Sequence, residues 1–125
     1  MKILYIEDNP FNMQLVEKVL RASGYELLAA EDGEKGLALA REHEPELILL
    51  DINLPGMGGY EIAQKIRECD LPGLASVPII AVTANALVGD DEKAIEAGCT
   101  DYLAKPINIR ELRETVARYL NAVTT

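Results

Sequence analysis

Few of the residues that build metal, disulfide or membrane sites occur in this chain. Its 125 residues include two cysteines, Cys69 and Cys99, and one histidine, His43. This count excludes both a disulfide framework and a zinc site of Cys and His ligands. No apolar run reaches the about 18 residues that a membrane-spanning helix requires, and the short N-terminal run is followed at once by acidic residues, unlike a signal peptide. We therefore expect a cytoplasmic protein with no membrane partner.

Basic residues are also in the minority. The chain has 12 Lys and Arg against 21 Asp and Glu, which gives a net charge of −9. Nucleic acids and anionic lipids bind proteins through basic patches, so neither is expected as a direct ligand. The length suits one domain, and a hydrophobic content of 49% is ordinary for a globular protein. We expect residues 1–125 to form a single domain without an output domain.

Five short apolar runs alternate with segments of helical periodicity. The runs are Ile3 to Ile6, Leu27 to Ala30, Leu47 to Leu50, Ile79 to Val82, and Tyr102 to Leu103. Helices are expected from Asn9-Pro10 to Gly24, from Gly33 to His43, from near Gly59, from about Leu87 to Ala97, and from Asn108. The third and fourth runs are apolar throughout, as in parallel strands covered on both faces. The alternation predicts an α/β fold with a (βα)5 doubly wound, five-stranded parallel sheet.

Polar and charged side chains follow the predicted strands where each strand ends. Glu7 and Asp8 follow the first strand, Asp51 the third, Thr83 the fourth and Lys105 the fifth. Ligand sites in open parallel sheets form at the carboxyl ends of the strands. If the first and third strands are neighbours, three carboxylates converge, and they require raised pKa values or a hard divalent cation such as Mg²⁺. The lysine and the threonine hydroxyl beside them suggest an oxyanion partner.

Each of these residues alone also has an ordinary structural explanation. An acidic or amide side chain after a strand is commonly a helix cap, which suits Asp8 or Asn9. Thr83 alone fits a plain strand residue, and Lys105-Pro106 fits a surface turn. Their occurrence together, at or beside the ends of four different strands, favours one shared site.

Four motifs, in chain order, resemble those of the receiver domains of two-component response regulators. They are Glu7-Asp8-Asn9, the turn Asp51-Ile52-Asn53-Leu54-Pro55-Gly56-Met57, Val82-Thr83-Ala84-Asn85, and Lys105-Pro106. The resemblance extends from Ile3 to about Leu120. The segment EDNPFN, the segment TANAL and a longer loop from Leu71 to Val77 resemble most the receivers of hybrid histidine kinases and free-standing cell-cycle regulators. The resemblance implies a flavodoxin-like, CheY-like sheet with strand order 2-1-3-4-5.

The resemblance implies a role for each residue of the acidic pocket. Asp51 is the phosphoacceptor, which takes a phosphoryl group from a histidine on a partner protein. Glu7, Asp8 and an oxygen of Asp51 hold Mg²⁺ together with the backbone carbonyl of Asn53. Lys105 pairs with the phosphoryl oxygens, and the bond that follows it, to Pro106, is expected to be cis. An acidic pocket repels a bare phosphate, so both the cation and the lysine are required.

The resemblance also implies how the phosphoryl group is sensed and lost. The Thr83 hydroxyl turns toward the phosphoryl group, and Tyr102 rotates inward once Thr83 has moved. Asn53 and Asn85 flank the phosphoryl group and influence its hydrolysis. Because neither asparagine is a base for the attacking water, we expect a phosphoryl lifetime of minutes.

The expected partners are proteins. A histidine kinase or a histidine phosphotransferase would donate the phosphoryl group, and a target would bind the face formed by the fourth helix, the fifth strand and the last helix. The chain would act as a signalling switch, a monomer or a weak phosphorylation-linked dimer, and as an enzyme only in its own phosphorylation and dephosphorylation.

Three other functions share features with this sequence. An unphosphorylated, receiver-like scaffold is compatible with the fold, although the motif set is intact. A haloacid-dehalogenase-type phosphatase also uses an aspartate, Mg²⁺ and a lysine, but that family carries its DxDx motif after the first strand, where this chain has Glu7-Asp8-Asn9. An FMN carrier of the flavodoxin type requires a phosphate loop rich in hydroxyls and backbone amides, and the corresponding loop here is acidic.

Overall fold

The computed structural model describes residues 1–84 and 90–121, and within them five strands alternate with six helices. The strands are β1 (Lys2–Ile6), β2 (Glu26–Ala30), β3 (Leu47–Asp51), β4 (Ile79–Thr83) and β5 (Asp101–Ala104). The helices are α1 (Pro10–Ala22), α2 (Gly33–His43), α3 (Gly59–Arg67), α4 (Pro72–Ala75), α5 (Asp90–Glu96) and α6 (Ile109–Asn121). All strand pairs are parallel, and the order is β2-β1-β3-β4-β5. The predicted fold class and strand order are confirmed.

Each face of the sheet has its own hydrophobic core, because alternate residues of a strand point to opposite faces. Buried residues of α1 and α6 cover the face that carries Ile3 and Tyr5 of β1. Buried residues of α2, α3, α4 and α5 cover the opposite face, which carries Leu4 and Ile6. All five residues of β3 and all five of β4 are buried, as their unbroken apolar runs predict. Each fully buried Leu or Ile contributes about 1.5–3 kcal/mol to the free energy of unfolding.

Helix α1 begins and ends as its sequence predicts. The Oδ1 atom of Asn9 accepts hydrogen bonds from the backbone N–H groups of Phe11 and Asn12, and Pro10 occupies the first turn. After the helix, Gly24 adopts a positive φ of +91°, a conformation that glycine reaches without a Cβ clash. Asn9 is therefore the cap of α1.

The segment between α3 and β4 differs from the expected loop, because it contains the short helix α4. Pro72 stands in the first turn of this helix, where its missing N–H costs nothing, and Leu74 is buried against the core. Four helical residues are too few to show a helical repeat in the sequence, so periodicity could not predict this element. The fourth and last predicted helices are consequently α5 and α6.

Arg67, at the end of α3, makes hydrogen bonds to α4 and to the connection between α5 and β5. Its Nε donates to the carbonyl of Gly98 at 2.7 Å, Nη1 donates to the carbonyl of Ala75 at 2.9 Å, and Nη2 donates to Oγ1 of Thr100 at 3.3 Å. The same Thr100 Oγ1 accepts from the backbone N–H of Ile79 at 3.1 Å. These hydrogen bonds hold the segment between α5 and β5 in place at the amino edge of the sheet.

Part of the predicted fourth helix lies outside the described residues. Of the expected span from Leu87 to Ala97, the structure describes α5 from Asp90 to Glu96, and residues 85–89 are not described. No helix in the described ranges combines the length and the apolar character needed to cross a membrane.

Candidate functional site

The carboxyl edge of the sheet brings the predicted site residues together. β1 lies between β2 and β3, and Ile6 of β1 pairs with Leu50 of β3. The residues that follow these two, Glu7 and Asp51, therefore emerge side by side. On the other side of β3, β4 ends at Thr83, which pairs with the last residue of β5, immediately before Lys105.

Three carboxylates form a cluster at this edge. Glu7, Asp8 and Asp51 each offer a carboxylate oxygen, and these oxygens all lie within 4.8 Å of one another. Glu7 and Asp51 are buried, each about 1% exposed, whereas Asp8 is exposed. Mg²⁺ binds through a few carboxylate oxygens and retains several waters, so a cluster with one solvent-exposed member fits this ion.

Lys105 lies between the two buried carboxylates. Its Nζ is 3.1 Å from Oδ2 of Asp51 and 3.4 Å from Oε1 of Glu7. Burial lowers the pKa of Lys105, but the hydrogen bond and negative charge of Asp51, followed by those of Glu7, outweigh burial and hold the pKa above its ordinary value. The lysine is therefore a fixed positive charge at neutral pH. The bond between Lys105 and Pro106 is cis, the isomer that the resemblance implied.

The second oxygen of Asp51 is held by the backbone. Oδ1 accepts from the N–H of Asn53 at 3.0 Å, so a backbone amide and the Lys105 ammonium orient the two carboxylate oxygens from different directions. The side-chain Oδ1 of Asn53 is 3.4 Å from the N–H of Ala84, which links the turn after β3 to the end of β4.

The backbone near Asp51 is packed against the start of α3. A Cβ atom added at Gly59 would lie 2.6 Å from Cα of Ile52 and 2.8 Å from the carbonyl oxygen of Asp51. Both are backbone atoms, which cannot move aside cheaply. Glycine at this position therefore allows α3 to begin directly against the residue that carries the central carboxylate.

Two hydrogen-bond donors to Glu7 were missed from the sequence. Oε1 of Glu7 accepts from the Tyr5 hydroxyl at 3.0 Å and from Nδ2 of Asn12 at 3.0 Å. Burial, and then the charge of Glu7, raises the pKa of Tyr5, so its hydroxyl keeps the proton that it donates. The available signal was the two-residue spacing of Tyr5 and Glu7, which places both side chains on the same side of the extended chain at the end of β1.

The predicted switch residues lie on adjacent strands. Thr83 is buried at the end of β4, and Tyr102 of β5 is 40% exposed, so its ring is not turned inward in this structure. Asn85, the second predicted modulator of hydrolysis, lies outside the described residues. The coupling of Thr83 to Tyr102 therefore stays a prediction.

Exposed hydrophobic side chains occur on two parts of the described surface. Ile95 of α5, Tyr102 of β5 and Ile109 of α6 are 53%, 40% and 39% exposed. Phe11, in the first turn of α1, is 81% exposed. The first three residues come one each from the elements of the expected target face.

The chain matches a known protein family and several characterised proteins. The model of the response regulator receiver domain matches residues 3–117. The polar-differentiation response regulator DivK of Brucella anthropi is 42% identical over 118 residues, which cover 94% of each chain. DivK of Brucella ovis is also 42% identical over 118 residues.

Solved structures with the same fold include two receivers. The receiver domain of the sensor histidine kinase PA1611 from Pseudomonas aeruginosa, with a magnesium ion coordinated in its active site cleft, is 40% identical with a TM-score of 0.86, covering 96% of this chain and 97% of that one. A chain in the co-crystal of the Saccharomyces cerevisiae phosphotransfer protein Ypd1 with the receiver domain of Ssk1 is 30% identical with a TM-score of 0.88, covering 95% of this chain and 88% of that one.

Proposed function

This chain belongs to the response regulator receiver domain family, and from that membership we propose that it is a phosphoacceptor switch in a two-component phosphorelay, with Asp51 as the acceptor. The observation that carries the proposal is the setting of Asp51. Its carboxylate is buried in the acidic cluster, and its two oxygens are held by the N–H of Asn53 and the ammonium of Lys105. Such fixed orientation lowers the entropic cost of in-line attack.

In the proposed reaction a carboxylate oxygen of Asp51 attacks the phosphorus of a phosphohistidine on the donor protein. An O–P bond forms while the P–N bond breaks, and the histidine nitrogen keeps the electron pair of the broken bond. Lys105, which contacts Oδ2 of Asp51 before the reaction, then pairs with the phosphoryl oxygens. Each chain accepts one phosphoryl group, so the chain is a switch whose catalysis is limited to its own phosphorylation and dephosphorylation.

The acidic cluster would hold Mg²⁺ through Glu7, Asp8, Asp51 and the backbone carbonyl of Asn53. Mg²⁺ supplies positive charge that offsets the carboxylates and the incoming phosphoryl group. The magnesium ion in the cleft of the PA1611 receiver supports this assignment, as does the convergence of the three carboxylates in this chain.

The output of the switch would be the face formed by α5, β5 and α6. Phosphorylation adds negative charge and acceptor oxygens beside Thr83, whose hydroxyl would turn toward them and leave room for Tyr102 to rotate inward. A nearly complete switch requires about 5.5 kcal/mol of preferential stabilisation. The exposed side chains of Ile95, Tyr102 and Ile109 support this face as the surface that a target protein contacts.

The proposed donor is a histidine kinase or a histidine phosphotransferase, and the reaction would take place in the cytoplasm. The co-crystal of Ypd1 with the Ssk1 receiver is a precedent for a complex with a phosphotransfer protein. The switch would be a monomer, or a weak dimer when phosphorylated. Family membership removes the alternative of a haloacid-dehalogenase-type phosphatase.

Intact mass measurement tests the proposal. The wild-type chain, Asp51→Asn and the control Asp70→Asn, which alters an exposed carboxylate paired with Arg41, are incubated with acetyl phosphate and Mg²⁺. We expect one added phosphoryl group on the wild type and the control, none on Asp51→Asn, and none when EDTA is present. A folded wild-type chain that gains no mass would instead indicate the unphosphorylated scaffold.

A further inference from the structure

The hydrogen bonds of Glu7 affect which cation the acidic cluster can bind. We propose that Tyr5 and Asn12 make Glu7 a one-oxygen ligand and thereby select Mg²⁺ over the larger Ca²⁺. The inference deepens the proposed function, because it rests on the cation site formed by Glu7, Asp8 and Asp51.

The two oxygens of Glu7 have different surroundings. Oε1 accepts from the Tyr5 hydroxyl and from Nδ2 of Asn12, each at 3.0 Å, and lies 3.4 Å from Nζ of Lys105. A carboxylate oxygen has about two lone-pair positions, so the two hydrogen bonds already occupy Oε1. Oε2 accepts from the backbone N–H of Asp8 at 3.1 Å. Oε2 is therefore the oxygen with a lone pair to offer a cation or its water.

The two donors to Oε1 are themselves fixed. The Tyr5 side chain is fully buried in the core between the sheet and helices α1 and α6, so its hydroxyl has one position. Asn12 lies in the first turn of α1, and its backbone N–H is bound by the cap residue Asn9 at 3.2 Å. Because the donors come from β1 and α1, Glu7 cannot rotate about its side chain without losing at least one hydrogen bond.

Monodentate and bidentate carboxylates favour different cations. Mg²⁺ requires near-ideal octahedral geometry and takes one oxygen from each carboxylate, whereas Ca²⁺ takes six to eight oxygens and readily accepts both oxygens of one carboxylate. A Glu7 restricted to Oε2 suits Mg²⁺. Loss of the donors would free Oε1, loosen the octahedral arrangement and supply the extra oxygen that Ca²⁺ uses.

Calorimetric titration of the metal-free chain with Mg²⁺ and, separately, with Ca²⁺ tests the inference. The variants are Tyr5→Phe, Asn12→Ala and the double variant. The matched control is Tyr119→Phe, which removes a phenol hydroxyl that donates to Oδ2 of Asp101 at 2.9 Å, away from the cluster. We expect the Kd for Mg²⁺ to rise about tenfold in each single variant. The Kd for Ca²⁺ should rise by less than this. The ratio of the Ca²⁺ Kd to the Mg²⁺ Kd then falls, most in the double variant, and stays unchanged in Tyr119→Phe.

The outcomes separate this inference from the proposed function. If Tyr5→Phe and Asn12→Ala fold but weaken both cations in parallel, or change neither, the pair has only a structural role and the inference is wrong. If the wild-type chain binds no Mg²⁺, the cation site of the proposed function is also wrong. If circular dichroism shows that Tyr5→Phe does not fold, the test depends on Asn12→Ala alone, because Asn12 is only half-buried.

Discussion

The ammonium group of Lys105 lies 3.1 Å from Oδ2 of Asp51, although Asp51 ends β3, Lys105 follows β5, and these two strands are not neighbours. Strand β4 separates β3 from β5, so the lysine side chain spans the width of one strand to reach the carboxylate. In the unphosphorylated chain this cation offsets part of the negative charge that Asp51 and Glu7 bring into a buried position. The same contact makes Lys105 a competitor of any cation bound there.

Replacing Lys105 should separate cation binding from phosphoryl transfer. Lys105→Met removes a positive charge near the carboxylates, so we expect Mg²⁺ to bind about tenfold more tightly, a change of about 1.4 kcal/mol. Phosphorylation by acetyl phosphate should slow at least tenfold, because the phosphoryl oxygens lose their ammonium partner. Calorimetry and intact mass give the two quantities. Lys65→Met, on α3, is the control, and weaker Mg²⁺ binding by Lys105→Met would contradict the assignment.

Magnesium should stabilise the folded chain through the acidic cluster. A ligand at ten times its Kd adds about 1.4 kcal/mol to the free energy of unfolding, which raises Tm by about 5 °C for a domain of this size. Asp8→Asn should abolish the rise without unfolding the chain, because Asp8 is exposed. The measurement is Tm in EDTA and in Mg²⁺. The prediction fails if Asp8→Asn and Asp70→Asn respond to Mg²⁺ alike.

Gly59 and its neighbour Gly58 should differ sharply in their tolerance of alanine. A Cβ at Gly59 meets backbone atoms at 2.6 and 2.8 Å, whereas a Cβ at Gly58 meets nothing within 4 Å. We expect Gly59→Ala to cost about 2 kcal/mol of stability, in the range of overpacked sites, and to slow phosphorylation of Asp51, while Gly58→Ala changes neither by much. Urea unfolding and intact mass measure both. Equal losses of stability in Gly59→Ala and Gly58→Ala would show that the close contact of Gly59 with the backbone does not determine the cost of the substitution.

Thr83 should be needed for output and not for acceptance of the phosphoryl group. Thr83→Ala should still gain one phosphoryl group, because Asp51 and Lys105 are unchanged. The change that phosphorylation causes in the hydrogen exchange of β5 should be lost, since no hydroxyl turns toward the phosphoryl oxygens. Hydrogen exchange of residues 101–104, before and after phosphorylation, checks this, with Thr115→Ala on α6 as a buried-threonine control. An undiminished response in Thr83→Ala would exclude the proposed coupling.

The two cysteines should react at very different rates. Burial raises the pKa of Cys99 to about 11, although the charge of Arg67 acts in the opposite direction. Only the thiolate is alkylated, so at pH 8 about one Cys99 thiol in a thousand is reactive, and raising the pH toward 11 increases that fraction. Half-buried Cys69 should be labelled first by iodoacetamide, as peptide mass mapping can show. In the variant Cys69→Ser, the labelling rate of Cys99 can be measured by itself. Fast labelling of Cys99 in the folded chain would contradict its burial.

The strands, and the convergence of Glu7, Asp51 and Lys105 at one edge of the sheet, were predictable because both follow from short-range patterns. Apolar runs such as Leu47 to Leu50 are typical of buried parallel strands, and the first charged residue after each run lies at or near the carboxyl edge. Position alone therefore indicated Glu7, Asp51 and Lys105. The order of the strands came from the resemblance, since alternation of strands and helices does not by itself specify which strands are neighbours.

The contacts that were missed depend on distances that the sequence does not encode. Tyr5 lies within the apolar run of β1, where a tyrosine is ordinarily a packing residue. To predict its hydrogen bond to Glu7, one must know which face of the sheet the Tyr5 side chain occupies and how deeply Glu7 is buried at the edge of the sheet. Asn12 lies in the segment EDNPFN, which gives no sign of its contact, and the direction in which α1 leaves Asn9 brings its amide to Glu7. Helix α4 is too short for any periodic signal.

The attachment of Arg67 to Gly98 and Thr100 gives the two edges of the sheet different mechanical roles. The amino edge is an anchored end, since a charged guanidinium held by three acceptors cannot slide without breaking them. In the proposed switch, a displacement that starts at Thr83 would become smaller toward Arg67, so that β5 and α5 would tilt about a pivot near Gly98 and would not translate as a block. The largest movement would occur beside the phosphoryl group, and a target protein would sense a change of angle.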